Sequence, residues 1–151
     1  MLRARFSDSL KAAMKAHDAR AVSTLRMMLA TLKNRDIAAR DKGNTSGIDD
    51  GEINQMLQGM VKQRRESIAL YEQGNRPELA AQEQAEIAII ESFLPKQLAE
   101  AELEQAVRDA IAAAGAASAK DMGRVMASLR EKYAGQMDFG KASAAAKRLL
   151  G

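Results

Sequence analysis

Lys120, Gly123 and Arg124 stand first among the residues whose type and spacing suit chemistry. Arg124 lies one helical turn beyond Lys120, and Lys141, Lys147 and Arg148 follow close to the C-terminus. Ammonium groups meet phosphate as point charges, and guanidinium groups meet it as two-pronged donors. The two helix starts beside Lys120 and Lys141 add amide groups that suit an anion. Gly123 removes a side chain in a first helical turn, which admits a close neighbour, either another helix or a nucleic-acid backbone. A second basic face is formed by Arg26 and Lys33, seven residues apart on one helix, together with Lys62 and Arg65 on the next. Charge of this kind is most often a solvated helix face, so charge alone does not assign a ligand.

Other chemistry is poorly supported. Gly135-Gln136-Met137-Asp138-Phe139-Gly140-Lys141-Ala142 nearly matches the phosphate-binding loop G-x-x-x-x-G-K-[ST]. Alanine replaces the magnesium-binding hydroxyl, however, and a helix precedes the motif where a strand is required. The acidic pairs Asp49/Asp50 and Glu83/Glu86 read as a helix cap and a solvated face. His17, the only histidine, falls at a predicted helix end. Cysteine is absent, which excludes disulfides, thiolate zinc sites and cysteine nucleophiles. No catalytic residue, metal site or cofactor is expected.

The elements that position these residues are helices. Alanine, leucine and nine methionines are abundant, aromatics reach only 3%, and β-branched residues are too scattered for a sheet. The charge is uneven: residues 1–42 carry a net +6, residues 43–100 a net −5 and residues 101–151 a net +2. Such asymmetry hints at a polyanionic partner. No apolar run is long enough to span a bilayer, so no membrane association is expected. Met1 to His17 is basic and amphipathic in the manner of a transit peptide, but Asp8 and the smooth run onward favour a mature first helix. A cytoplasmic location is expected.

Leu2, Phe6, Leu10 and Met14 mark the first helix at a spacing of four. Asp18 caps a second, with Val22, Leu25, Met28, Leu29 and Leu32 inward and Ile37 extending them. Lys42 to Gly47 reads as a mobile loop. Asp49 opens a third helix carrying Ile53, Leu57, Met60, Arg64 and Ile68 on one stripe, so Arg64 is expected to be partly buried with a paired head. Gly74 suits the stop at C′ and Asn75 the next cap. A fourth helix then runs to Leu94, where Pro95 ends it. Beyond Pro95 three shorter helices are expected, broken at Gly115 and Gly135 and capped by Ser118 and Asp138. The fold class is therefore all-α. An N-terminal bundle of about four helices (residues 1–94) joins a small C-terminal three-helix domain (residues 95–151).

Several stretches together resemble the GatB/YqeY family. Ser23-Thr24-Leu25-Arg26, continuing through Ala30 to Lys33-Asn34, matches its S-T-L-R-x-x-x-A-x-x-K-N element. Lys62, Arg64, Glu66, Ser67 and Ile68 match K-x-R-x-E-S-I. Glu83, Glu86-Ile87, Ile90 and Phe93-Leu94-Pro95 match E-x-x-E-I-x-x-I-x-x-[YF]-L-P, and Lys120 to Met126 resembles K-D-M-G-K-V-M with Arg124 for the second lysine. The resemblance implies a free-standing helical protein related to the tail of the B subunit of the glutamine-dependent tRNA amidotransferase. In those settings the helical tail contacts tRNA, while the chemistry resides elsewhere. Any carbon–nitrogen ligase label with glutamine as amido-nitrogen donor would thus be inherited from the larger enzyme. The expected function is a non-catalytic tRNA-binding or accessory protein, with Lys120, Gly123, Arg124, Lys141, Lys147 and Arg148 at the phosphate backbone. The alternative is an adaptor that docks on the amidotransferase or an aminoacyl-tRNA synthetase without touching RNA.

Overall fold

A computed structural model describes all 151 residues, Met1–Gly151. Seven α-helices follow one another: α1 (Leu2–Lys15), α2 (Ala19–Asp41), α3 (Asp50–Gln73), α4 (Pro77–Glu91), α5 (Glu100–Ala114), α6 (Met122–Lys132) and α7 (Phe139–Leu150). A single 3-10 turn, Ala119–Asp121, leads into α6. There is no strand, and the chain divides into two compact units, Met1–Leu94 and Pro95–Gly151.

In the N-terminal unit α3 packs most extensively on α4, and α1 lies against α2. Phe6, Met28, Ile53, Met56, Leu57, Ile87 and Ile90 are fully buried at its centre. Phe93 meets Phe6 edge to face, with ring centroids 5.0 Å apart and planes at 88°. That arrangement sets the positive edge of one ring on the negative face of the other.

Four details differ from the expected pattern. Met14 is half exposed and Ala13 is buried in its place. A strict spacing of four gains about 40° per step on a helix of 3.6 residues per turn, so by Met14 the row has rotated off the core face. Ile37 likewise points outward, 47% exposed. The fourth helix stops at Glu91, not Leu94, because the Phe93 and Leu94 amides bond to the carbonyls of Ile90 and Glu91, three residues back. The chain tightens before it meets Pro95. Asn75, not Gly74, takes the left-handed conformation after α3 (φ 55°), as asparagine tolerates better than most side chains.

Lys42 to Gly47, expected as a mobile loop, is hydrogen-bonded within itself and to the end of α2. Arg3 reaches from α1 to donate to Asp36 Oδ1 at 2.7 Å and to the Ile48 carbonyl at 2.8 Å. The Ile48 amide in turn donates to Asp36 Oδ1 at 3.0 Å, and Asn44 Nδ2 donates to the Gly47 carbonyl at 3.0 Å. The Arg3 guanidinium, helped by the Ile48 amide and opposed by partial burial, lowers the Asp36 pKa to about 2. A carboxyl whose pKa falls on folding stabilises the fold above its unfolded pKa and loses that contribution as pH drops through the folded value. About 1–2 kcal/mol, after screening at this partly exposed pair, is therefore expected to disappear between about pH 4 and pH 2. Comparing the unfolding free energy of the native protein and Asp36→Asn across that window checks it: the variant should lack this part of the acid dependence.

In the C-terminal unit α5, α6 and α7 pack pairwise around Val107, Val125, Leu129, Met137, Ala142 and Ala146. The segment after Pro95 is held to the α6–α7 turn of the same unit: Leu98 donates its amide to Gln136 O at 2.8 Å, and Gln97 donates its side-chain amide to Gly135 O at 2.6 Å. Asp138 caps α7 as expected.

Candidate nucleic-acid interface

The five cations singled out near the C-terminus fall into two classes. Arg124, on the first turn of α6, donates to Asp121 Oδ1 at 2.7 Å and to the Ala114 carbonyl at the end of α5 at 3.2 Å. It therefore closes an open helix terminus. Arg148 on α7 donates to Glu104 on α5 at 2.9 Å, and Arg108 donates to the same carboxylate at 3.2 Å. The two arginines thus brace the helices, although both side chains keep more than half their surface exposed. Lys120, Lys141 and Lys147 are exposed and form no ion pair.

The helix starts do not offer the free amides expected of them. Asp138 Oδ1 accepts from the amides of Gly140 at 2.8 Å and Lys141 at 3.3 Å. Asp121 Oδ2 accepts from the amides of Ala117 at 3.0 Å and Ser118 at 3.3 Å, and Ser118 Oγ accepts from Lys120 N at 3.4 Å. The Ala117 amide, then the Arg124 guanidinium, hold the Asp121 carboxyl below its ordinary pKa, so it stays an anion. An incoming phosphate would have to displace the Asp138 carboxylate at the start of α7 and the Ser118 hydroxyl at the turn that leads into α6. This also disposes of the phosphate-loop likeness at Gly135 to Ala142, whose last amides are already capped. Gly123 is exposed, and a Cβ there would meet nothing within 4 Å. No neighbour within the chain requires a glycine at that position.

Arg130 and Lys132, not singled out from the sequence, are exposed near the C-terminal end of α6. Arg130 lies over the Phe139 ring at 5.7 Å and Lys132 over the Tyr133 ring at 5.6 Å. Neither pairs with a carboxylate. Asp121 and Asp138 stand at the starts of α6 and α7 and Glu131 lies within α6, three acids against three cations on each helix.

In the N-terminal unit, Arg26 and Lys33 are exposed on α2 and unpaired. Lys62 is exposed on α3, while Arg65 pairs with Glu91 at 3.3 Å. Between the last two, Arg64 is buried, with its Nε 2.9 Å from Glu86 Oε2 and 3.9 Å from Glu83. Its Nη1 donates to the Met60 carbonyl at 3.2 Å. Glu83 and Glu86 are thus partners of a buried cation, not a solvated face; the facing arginine lies on another helix, where spacing gives no hint of it. No three metal-ligating side chains come together.

The sequence profile of the family described as Yqey-like protein matches residues 3–150. "Altered inheritance of mitochondria protein 41, mitochondrial" of Eremothecium gossypii is 35% identical over 91 residues, covering 60% of this chain and 48% of that protein. Its namesake in Vanderwaltozyma polyspora is 35% identical over 85 residues, covering 56% and 44%. That of Lachancea thermotolerans is 32% identical over 91 residues, covering 60% and 46%. The match spans about half the length of these curated relatives. All three are named as mitochondrial proteins, which overturns the expected cytoplasmic location. Lack of cysteine and of a membrane-spanning run carried that expectation, and neither distinguishes cytosol from the inside of a mitochondrion.

Proposed function

The chain belongs to the YqeY-like family, and on that footing we propose that it binds structured RNA, tRNA foremost, through the α6–α7 surface, as an accessory protein without chemistry of its own. The observation that carries this reading is the division of labour among the cations. Arg108, Arg124 and Arg148 pair with Glu104 and Asp121 inside the unit, while Lys120, Lys141 and Lys147 keep solvated ammonium groups. Flexible point charges of this kind position a phosphate backbone without reading sequence. None of the five aromatic residues is exposed, so recognition rests on charge and shape, not on base stacking. The resemblance to the amidotransferase tail supports a role beside a tRNA enzyme, to which the protein would present the RNA.

The test uses the full chain and fluorescently labelled tRNA. Lys120→Gln, Lys141→Gln and Lys147→Gln combined are expected to weaken binding about tenfold or more at fixed salt, with the helical signal unchanged. Binding of the native chain no better than that of the triple variant would refute the assignment.

A further inference from the structure

The long helix α2 shows two faces. Thr24, Leu25, Met28 and Leu32 are buried against the rest of the N-terminal unit. On the outward side, two rows run parallel. Arg26, Lys33 and Arg40 form one, each seven residues from the next, all exposed and none paired with a carboxylate. Seven residues are about two turns, or about 10.5 Å along the axis. Ser23, Ala30 and Ile37 form the other row at the same spacing, also exposed, with Ile37 at 47%. No carboxylate falls in either row; Asp36, the only acid inside the helix before its last residue, is bonded to Arg3, and Arg40 acts on it through space.

At its N-terminal end this face opens into a recess of about 590 Å³ lined by Met14, His17, Ala19, Val22, Ser23 and Arg26. The displaced Met14, 49% exposed, forms one wall. A small or apolar row beside a row of charges at heptad spacing is what one helix presents to another. The small residues admit a close backbone, and the charges select the partner.

We propose that this face of α2 docks an amphipathic helix of a protein partner. That helix carries three carboxylates seven residues apart to meet Arg26, Lys33 and Arg40, and a bulky apolar side chain to enter the recess at Met14 and Val22. RNA fits less well, because Ala30 and Ile37 of the row and the walls Met14 and Val22 offer a phosphate backbone no polar partner. A second copy of this chain does not supply the complement. None of its helices carries three acidic residues at seven-residue spacing.

The probe is a synthetic helix with Glu at three positions seven apart beside a Leu/Ala row, titrated onto the full chain by fluorescence anisotropy. Its controls are a peptide of the same composition with the Glu spacing scrambled and one with Lys for each Glu. The heptad peptide is expected to bind at least tenfold tighter than the scrambled one. The variant Arg26→Glu with Lys33→Glu should lose it and instead bind the lysine peptide, a reversal that loss of folding cannot produce. Equal binding of heptad and scrambled peptides would overturn the proposal. So would loss of tRNA binding in the reversed variant without any change in peptide binding, which would assign the face to RNA. Self-association of the native chain abolished by the same variant would also overturn it, in favour of a second copy.

Discussion

Arg64→Met is expected to destabilise the N-terminal unit by about 3 kcal/mol, because it strands two carboxylates that were paired with a buried cation. Arg64 is 7% exposed in its side chain, and it spans from α3 to Glu83 and Glu86 on α4, the most extensive helix contact of the unit. Glu83 and Glu86 remain 22% and 26% exposed, so partial rehydration keeps the loss at the low end of the range for a broken buried pair. The loss comes from isolation, not from the removal of an arginine as such. Replacing the whole cluster, Arg64→Met with Glu83→Gln and Glu86→Leu, should therefore return stability to within about 1 kcal/mol of native. Hydrogen exchange resolved by peptide separates the units. Protection should fall in α3 and α4 of the single variant, recover in the triple one, and stay unchanged beyond Pro95. A single variant as protected as the native protein would show that Arg64 is only packed.

Gly47→Ala should cost a similar amount, about 3 kcal/mol, for two separable reasons. Gly47 sits at φ +89°, a region that side chains rarely adopt. A Cβ there would also lie 2.7 Å from Arg3 Nη2 and 2.9 Å from Asp36 Oδ1. The guanidinium cannot simply swing away, since it is held by Asp36 and by the Ile48 carbonyl. Gly43 supplies the internal control. It has φ +95°, but a Cβ there meets nothing within 4 Å, so Gly43→Ala should pay the backbone strain alone, about 1 kcal/mol. Denaturation of the two variants side by side, with Gly47→Ala also losing the acid dependence due to Asp36, distinguishes a broken ion pair from a strained turn. Equal losses at the two positions would mean that the Arg3–Asp36 contact contributes little.

What the sequence made legible was whatever is local in the chain. Spacings of three and four placed all seven helices, and Asp18, Asp49 and Asp138 accept from the amides that their capping positions require. Arg64 was legible as a partly buried arginine because it shares a stripe with Met60 and Ile68. Its partners were not, because Glu83 and Glu86 show only that they share a face of α4, and their exposure depends on which helix lies opposite. The two family-like stretches, Lys62 to Ile68 and Glu83 to Pro95, prove to be halves of one packed contact. In the same way Arg124, read as a phosphate ligand, spends its donors on Asp121 and Ala114. A cation at a helix start has the same sequence pattern whether it serves its own fold or a ligand. The bonding around the loop from Lys42 to Gly47 was not legible for a related reason: glycine, asparagine and serine mark any loop, and Arg3, which reaches Asp36 and Ile48 beside it, is far away in the chain.

The central claim is that unpaired lysines of the α6–α7 surface hold a phosphate backbone. The dependence of tRNA affinity on salt tests it most directly, since each neutralised phosphate releases counterions and adds about one to the slope of log K against log salt. The native chain should give a steep negative slope, and the combined Lys120→Gln, Lys141→Gln and Lys147→Gln variant a slope shallower by about three. A flat line for the native chain, or an unchanged slope in the variant, would contradict the claim.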